Sequence, residues 1–392
     1  MKTQTDNFIG LITVYQGYNY GSSLQAYALK SFLTQKSATG CIVFDRQEKG
    51  FSALLLKIKN KTINISKSIL IPHLFKENLK KHYNKKKSKQ YDSGSLSLFD
   101  DFTNQYISPL FCSYRRLKSL ASTPNCLAFF VGSDQAWNPT VLNLSKINFL
   151  SFSPKHKNIS YGVSFGVDFV PKHNRKTLIK RLRLISKFSV RESSGKAILK
   201  SYGYDSVVCI DPVLLVGKSF WTNFIDVQKN VRKPFVLLYF LNEPKCDYMD
   251  KINNLLNSTI ADILLISKFD FSHSIKRQGV THLENISPKE FVHLFYTAES
   301  IITDSFHGIA FSILFNKNFI VLERDYGRSV PQTSRITDLL ELLKLTSQYR
   351  SINDDLVIKD IDYSTVVKKL SKIKESSGKY ILDSLRGLYD EK

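Results

Sequence analysis

Short apolar runs alternate with helix-forming segments from the start of the chain. A strand-like run at about residues 8–14 is followed by a polar loop at 15–23 and a helix-forming segment at about 24–35. A second apolar run, at 40–45, comes next at the spacing of a βαβ unit. This order predicts the opening of a doubly wound α/β domain with a parallel sheet.

The loop at 15–23 has the composition of a ligand-binding turn. Its glycines allow a close approach of the backbone, and the amides at the start of the following helix can face an anion or a sugar hydroxyl. It lacks the G-x-G-x-x-G spacing, so it does not predict a dinucleotide site. A plain strand-to-helix turn is the alternative. The candidate binding residues are Asn19, Gly21 and Ser22.

A second candidate turn follows the buried-strand pattern at Cys126–Val131. Small and polar residues stand at the carboxyl end of this strand, where open α/β sheets bind ligands. Together with an indole they favour a sugar or nucleotide platform. An ordinary turn around a core tryptophan is the alternative. The candidates are Ser133, Asp134, Gln135, Trp137 and Asn138.

Arg191 stands at the end of a further strand, 188–192, where a guanidinium can bind phosphate or carboxylate in bidentate fashion. A salt bridge with Glu192 or another neighbour is the alternative. The first half of the chain then ends near Asp211-Pro212, because proline cannot continue a strand ladder.

A second α/β series begins at Pro234 and centres on the segment Ile301–Phe315. This segment reads as the end of a buried strand, a polar turn and the first turns of an apolar helix. His307 lies at the hinge, after Asp304 and Ser305, which can cap the helix. A histidine here faces the crevice beyond the strands, and the helix N-terminus attracts phosphate or carboxylate. The alternative is a histidine that only caps the helix.

Two further arginines are candidate anion ligands in the second half. Arg328 lies in a basic loop, and Arg335 opens a capped amphipathic helix at 334–344. The stretch at 359–392 has a helical period and predicts a helix that packs back across both halves.

These elements predict two Rossmann-like doubly wound α/β domains facing a cleft, a GT-B-like arrangement, with a C-terminal helix packing back. A chain of 392 residues also exceeds what one hydrophobic core usually supports. The predicted boundaries are an N-terminal α/β domain at 1–210, a C-terminal α/β domain at 211–345 and a helical extension at 346–392.

The net charge of +22 is concentrated in one insertion. Residues 57–89 hold eleven lysines against one acidic residue, and they surround an apolar centre. Such a segment can lie on an anionic membrane surface, or it can be a solvated basic loop. No apolar run approaches the length of a membrane helix, and the N-terminus has no signal-peptide pattern. We therefore expect a cytoplasmic location, with peripheral contact at the inner face of the membrane as an option.

Five strings occur in an order and spacing that resemble the polysaccharide pyruvyl transferase family. The resemblance spans about residues 8–345. The strings are Asn19-Tyr-Gly-Ser-Ser-Leu-Gln-Ala-Tyr-Ala28, Val131-Gly-Ser-Asp-Gln-Ala-Trp-Asn138, Asp211-Pro-Val-Leu-Leu215, Thr303-Asp-Ser-Phe-His-Gly308 and Ser334-Arg-Ile336.

The resemblance implies a bacterial transferase of surface-polysaccharide or exopolysaccharide synthesis. Such an enzyme moves the enolpyruvyl unit of phosphoenolpyruvate onto two hydroxyls of a sugar, or of a lipid-linked glycan, as a cyclic ketal. It implies no metal or redox cofactor, and no nucleic acid partner is expected. His307 would carry the proton, since the unperturbed pKa of histidine lies near working pH. The anion ligands would be Arg191, Arg328 and Arg335.

One position departs from the family pattern. Better-studied members carry an arginine two residues before the histidine, where this chain has Ser305. Either Arg328 or Arg335 supplies the missing cation, or the donor is not phosphoenolpyruvate. Two other functions stay open: a glycosyltransferase that uses a nucleotide sugar in the same cleft, and a non-catalytic protein of polysaccharide assembly.

Overall fold

The computed structural model describes residues 6–17, 19–37, 39–48, 50, 53–54, 62, 93–225, 227, 234–241, 243–244, 246–267, 270–323 and 333–388. The basic insertion at 57–89, apart from position 62, and Arg328 lie outside the described residues. The predicted roles of both therefore stay predictions.

The first half of the chain forms a parallel sheet with helices packed on it. Its strands are β1 (Phe8–Ile12), β2 (Gly40–Arg46), β3 (Leu110–Cys112), β4 (Cys126–Val131) and β5 (Asn158–Ser160), in the spatial order β3-β2-β1-β4-β5. A small parallel pair, β6 (Ser189–Val190) and β7 (Val207–Val208), continues from it. Its helices are α1 (Tyr20–Ser37), α2 (Ser93–Phe102), α3 (Tyr114–Ala121), α4 (Lys172–Leu182) and α5 (Ser193–Ser201), and a π-helical turn covers Thr103–Ile107. The predicted βαβ opening is confirmed.

The first helix begins earlier than its apolar pattern predicts. It starts at Tyr20, because the Asn19 side chain accepts a hydrogen bond from the Ser22 amide at 3.1 Å and satisfies an otherwise unpaired donor of the first turn. Gly21 and Ser22 therefore lie in a helical turn and not in the predicted loop.

The second half forms a six-stranded parallel sheet. Its strands are β8 (Phe235–Phe240), β9 (Asp262–Ser267), β10 (Val280–His282), β11 (Ser300–Thr303), β12 (Asn318–Leu322) and β13 (Tyr349–Arg350), in the order β10-β9-β8-β11-β12-β13. Its helices are α6 (Pro212–Val216), α7 (Lys218–Ile225), α8 (Cys246–Asn257), α9 (Pro288–Thr297), α10 (Phe306–Leu314), α11 (Ser334–Leu343) and α12 (Tyr363–Arg386). A capping box of Ser287 and Glu290 opens α9.

The two sheets share one hydrophobic core. Helices α1, α6, α7, α9, α10 and α12 lie between them, and their buried side chains join residues of both sheets in one cluster. The long helix α12 contacts both halves: Ser377 Oγ accepts from the Ile210 amide at 3.0 Å, Tyr380 donates to the Ser160 carbonyl at 3.0 Å, and Val366 is buried in the shared core. Two Rossmann-like units with a helix packed back across both are confirmed. The exact division into domains stays a prediction.

Candidate functional site

The site lies where the topological switch points of both sheets meet. In the first sheet the order of connections reverses between β1 and β4, and in the second it reverses between β8 and β11. Open α/β sheets bind ligands beyond the carboxyl ends of the strands at this point. The turn after β4 carries Asp134, the turn after β11 carries His307, and Gly21 on α1 brings the two halves together.

His307 is held in the first turn of α10 with only 6% of its surface exposed. The Ser305 side chain caps this helix by accepting from the Gly308 amide, as predicted for this turn. A Cβ at Gly21 would lie 1.9 Å from Nδ1 of His307, so the ring packs directly on the α1 backbone. Among the described residues Nε2 has no hydrogen-bond partner, and it lies 3.7 Å from Oδ2 of Asp211. Ser305 and not His307 caps the helix, and Nε2 of His307 is a buried ring nitrogen next to a carboxylate.

Arg191 joins two carboxylates from different parts of the first half. Its guanidinium lies 2.5 Å from Oδ2 of Asp211 and 3.1 Å from Oδ1 of Asp134. Ser22 Oγ donates to the other oxygen of Asp134 at 2.6 Å. The predicted bidentate arginine is present, but its anions are the protein's own carboxylates, as in the salt-bridge alternative. Glu192 is not the partner. Arg191 is therefore a buried bridge and not an open anion clamp.

The charges of this cluster are mutually stabilised. Burial alone would raise the pKa of Asp134, but Arg191, His307, Arg335 and the Ser22 hydroxyl hold it well below its ordinary value. Burial is likewise outweighed at Asp211, whose pKa is lowered by His307, Arg191 and the Val213 amide. Both carboxyls are thus ionised at neutral pH, and two carboxylates face two guanidiniums.

Arg335 reaches the same cluster from α11. Its Nη1 lies 3.7 Å from Oδ1 of Asp134, and its side chain is 9% exposed. The guanidinium carbons of Arg191 and Arg335 lie 4.6 Å and 5.7 Å from the ring centroid of Phe306, so both cations flank the residue between Ser305 and His307. A cation from another helix thus stands beside the turn from which the family arginine is missing.

A polar clip across the two halves fixes the relative position of these arginines. Asp338 Oδ2 accepts from both the amide and the hydroxyl of Ser193, each at 2.6 Å. Ser193 opens α5 two residues after Arg191, and Asp338 lies one turn after Arg335 on α11. The clip therefore holds together the two segments that supply guanidiniums to the site.

The turn after β4 contributes Asp134 to the cluster, and its other candidate residues make structural contacts. Ser133 Oγ donates to the Gly162 carbonyl at 3.0 Å, and the Gln135 amide oxygen accepts from Asn138 at 2.8 Å. The aromatic platform predicted at Trp137 is wrong: the indole is fully buried, stacks on Phe149 and donates to the Asn148 carbonyl. Trp137 is a core residue, as in the alternative interpretation of this turn.

Asp304 also has a structural partner. Its carboxylate accepts from the Leu241 amide at 2.8 Å and so ties the turn after β11 to the end of β8. In the first half of the chain, Asn19 caps α1. These two residues shape the site from its edges.

Three residues around the cluster were not among the sequence candidates. Asp211 has the shortest ion pair of the cluster, with Arg191. The Asp211-Pro212 pair could have indicated its position, since aspartate before proline is a frequent helix start. Phe306 adjoins His307 and gave no signal of its own. Glu192 is fully buried, accepts three hydrogen bonds on one oxygen from residues 164–166 and has a raised pKa because of its burial.

Within the described part of the chain, no group of three His, Cys, Asp or Glu side chains is arranged to hold a metal ion. The same residues include no helix that is long and apolar enough to cross a membrane.

Comparison with known proteins identifies a family and a fold. The model of the family described as polysaccharide pyruvyl transferase matches residues 19–326. A search of curated proteins finds no significant match. UDP-GlcNAc 2-epimerase from Neisseria meningitidis, solved with UDP-GlcNAc, is similar in structure with a TM-score of 0.51 at 10% identity, over 97% of this chain and 100% of that chain. A second UDP-N-acetylglucosamine 2-epimerase has a TM-score of 0.50 at 10% identity, over 99% and 98%. At this identity the likeness shows the GT-B-like fold alone.

Proposed function

This chain belongs to the polysaccharide pyruvyl transferase family, and we propose that it moves the enolpyruvyl unit of phosphoenolpyruvate onto two hydroxyls of one sugar in a surface or exopolysaccharide precursor. The observation that carries the proposal is the buried Nε2 of His307, which has no hydrogen-bond partner among the described residues and belongs to the residue after Phe306, whose ring two guanidiniums approach. A proton carrier beside fixed cations is what this transfer needs.

The reaction balances with one proton carrier and one phosphate leaving group. Protonation of the methylene carbon makes the adjacent carbon electrophilic, and the first sugar hydroxyl adds to it. The bond to phosphate then breaks, and the second hydroxyl adds at the same carbon to close the ketal. Of the two hydroxyl protons, one ends on the new methyl group and the other leaves with phosphate. In this scheme His307 donates the first proton from Nε2 and is reprotonated by the sugar hydroxyl.

The anionic donor requires a cation at the site. Arg191 bridges Asp134 and Asp211, and Arg335 reaches Asp134 from α11, with its Nη1 3.7 Å from Oδ1. We assign Arg335 to the donor phosphate or carboxylate, in place of the arginine that Ser305 replaces, because its guanidinium stands beside Phe306 in the same turn. The N-terminus of α10 adds positive potential there.

Phosphate release tests the proposal directly. Purified protein is incubated with phosphoenolpyruvate and a panel of methyl hexosides and N-acetylhexosaminides, and ketal formation is followed by mass spectrometry. We expect phosphate release only with an acceptor, and a loss of at least about a thousandfold for His307→Ala. The matched control is His273→Ala, an exposed histidine in a short turn, which should retain the wild-type rate.

Two outcomes would contradict this assignment. A loss of only a fewfold in His307→Ala would remove its acid–base role. Binding of a nucleotide sugar with no response to phosphoenolpyruvate would favour the glycosyltransferase alternative. A nucleotide sugar is the appropriate probe because the epimerase of similar fold was solved with UDP-GlcNAc.

We also propose a cytoplasmic location with peripheral contact at the inner membrane face. The support is the cluster of eleven lysines at 57–89, which would attract anionic lipid headgroups. Flotation with phosphatidylglycerol-containing liposomes should recover the full chain and not a chain lacking 57–89. Binding that does not weaken with added salt would contradict an electrostatic contact.

A further inference from the structure

A cavity of about 490 Å³ lies at the carboxyl edge of the first sheet. It is bounded by the loop after β1, by α2 with its π-helical turn, and by the edge strand β3. Its volume falls in the range of about 300–1,000 Å³ that is typical of small-molecule sites. The roles assigned above to His307 and the arginines do not use it.

The lining of this cavity combines aromatic rings with uncharged and acidic hydrogen-bonding groups. The rings are Tyr15, Phe99 and Phe111, and the phenyl ring of Phe111 is on an edge strand with half of its surface exposed. Asp100 and Asn104 are both exposed and stand four residues apart, so they lie on the same face of their helical segment. The described residues that line it include no lysine or arginine. The chemistry of these residues suits a neutral polyol with an apolar face, such as a pyranose ring.

The wall nearest the cluster is built rigidly. Tyr15 donates to Asp45 Oδ2 at 2.6 Å, and the Gln16 amide donates to the same oxygen, so the end of β2 fixes the loop after β1. The Tyr15 carbonyl in turn accepts from Ser23 Oγ at 3.2 Å. Ser23 directly follows Ser22, the residue that donates to Asp134.

The loop after β1 thus lines the cavity with residues 15–17 and leads into α1, where Ser22 bonds to Asp134. A second link crosses from α1: Gln25 donates to the Val14 carbonyl at 2.7 Å and accepts from the Ser133 amide at 3.2 Å. These hydrogen bonds connect the wall of the cavity to the turn that carries Asp134.

We propose that this cavity binds a pyranose ring of the acceptor saccharide, with Phe111 packed on the apolar face of the sugar and Asn104 and Asp100 bonded to its hydroxyls. The inference rests on the proposed function for its choice of ligand. It adds a site, because it places one ring of the acceptor on the first sheet, among residues that have no part in the proposed reaction.

Direct binding without donor tests this site separately from the reaction. Methyl hexosides and N-acetylhexosaminides are offered to the full chain, and binding is measured by saturation-transfer NMR and calorimetry. We expect Phe111→Ala and Asn104→Ala each to weaken binding of the best probe about two- to tenfold. Leu110→Ala is the matched control, because Leu110 is equally exposed on the same strand but faces a different cavity.

The outcomes separate the two proposals. Sugar binding that depends on Phe111 and Asn104, without turnover of phosphoenolpyruvate, supports the subsite and removes the proposed reaction. Turnover whose acceptor KM is the same in Phe111→Ala, Asn104→Ala and wild type overturns the subsite and leaves the reaction. Failure of every saccharide probe to bind the wild type, or equal weakening in Leu110→Ala, also overturns the subsite.

Discussion

Adding one methyl group at Gly21 should displace the ring of His307 while the histidine itself stays unchanged. A Cβ at this position would lie 1.9 Å from Nδ1 and 2.3 Å from Cγ of His307, whereas ordinary contact begins near 3.4 Å. The ring would have to move by about 1.5 Å, and it is 6% exposed and packed in the shared core. In Gly21→Ala the imidazole therefore leaves its position opposite Asp211.

Two opposing effects set the expected free energy of unfolding. Alanine stabilises a helix interior over glycine by up to about 1 kcal/mol. Overpacking against the ring costs about 1–3 kcal/mol. Gly21→Ala should therefore be destabilised by up to about 2 kcal/mol in the wild-type background. In the His307→Ala background the ring is gone, and the same change should stabilise by up to about 1 kcal/mol.

A double-mutant cycle isolates the contact. Urea denaturation of the wild type, both single variants and the double variant should give a coupling energy of about 1–3 kcal/mol. Gly378→Ala is the control, since it adds a methyl group to α12 at an ordinary 3.4 Å from Phe32 and should not couple to His307. If phosphoenolpyruvate is the donor, Gly21→Ala should also lower kcat about a hundredfold.

Additive single-variant effects would refute this reasoning. They would mean that the ring does not press on α1 in solution. Wild-type kcat in Gly21→Ala would show that the observed position of His307 is not the catalytic one.

Three further predictions concern the charges around the site. Asp211→Asn should lower the free energy of unfolding by about 3–5 kcal/mol at pH 7, because it leaves the charge of Arg191 buried and poorly paired. The native carboxyl has a lowered pKa, so the difference in free energy of unfolding between the variant and the wild type should shrink in urea titrations as the pH falls below about 4. Burial raises the pKa of Glu192, so its stabilising contribution is complete below its unfolded pKa of about 4.3 and is lost as the pH rises through the folded value. Glu192→Gln should therefore gain stability relative to the wild type as the pH rises above the unfolded value, and a difference in free energy of unfolding that does not change with pH would contradict this. Asp338→Ala should lower the free energy of unfolding by about 1 kcal/mol in thermal melts, because the hydrogen bonds to Ser193 are lost, and it should also reduce turnover. Glu341→Ala on the same helix should change neither quantity.

Local patterns predicted the opening βαβ unit, the strands before the two polar turns and the edge on which the site lies. In each parallel α/β sheet the carboxyl ends of the strands share one edge, so the polar residues after Val131 and after Thr303 each fall at the ligand-binding edge of their own sheet. The caps of α9 and α10 depend on neighbouring residues only, and both were predictable for that reason.

Partners that come from distant parts of the chain were not predictable in the same way. Arg191 pairs with Asp134 and Asp211, which lie 57 and 20 residues away, and periodicity carries no information about such pairs. Trp137 illustrates the same limit. Its spacing suits either a ligand platform or a core position, and only the packing of Phe149 against it decides between them.

The position of α12 has a consequence for synthesis on the ribosome. Ser377 and Tyr380 supply hydrogen bonds to Ile210 and Ser160, so the amino-terminal half lacks these contacts until the last described helix has been translated. Domains of many proteins fold one after another as they emerge. Here a nascent chain that stops before Tyr363 leaves apolar surface of both halves uncovered. These contacts therefore form only after α12 has been synthesised, and a variant that lacks α12 should be bound by chaperones or degraded by proteases.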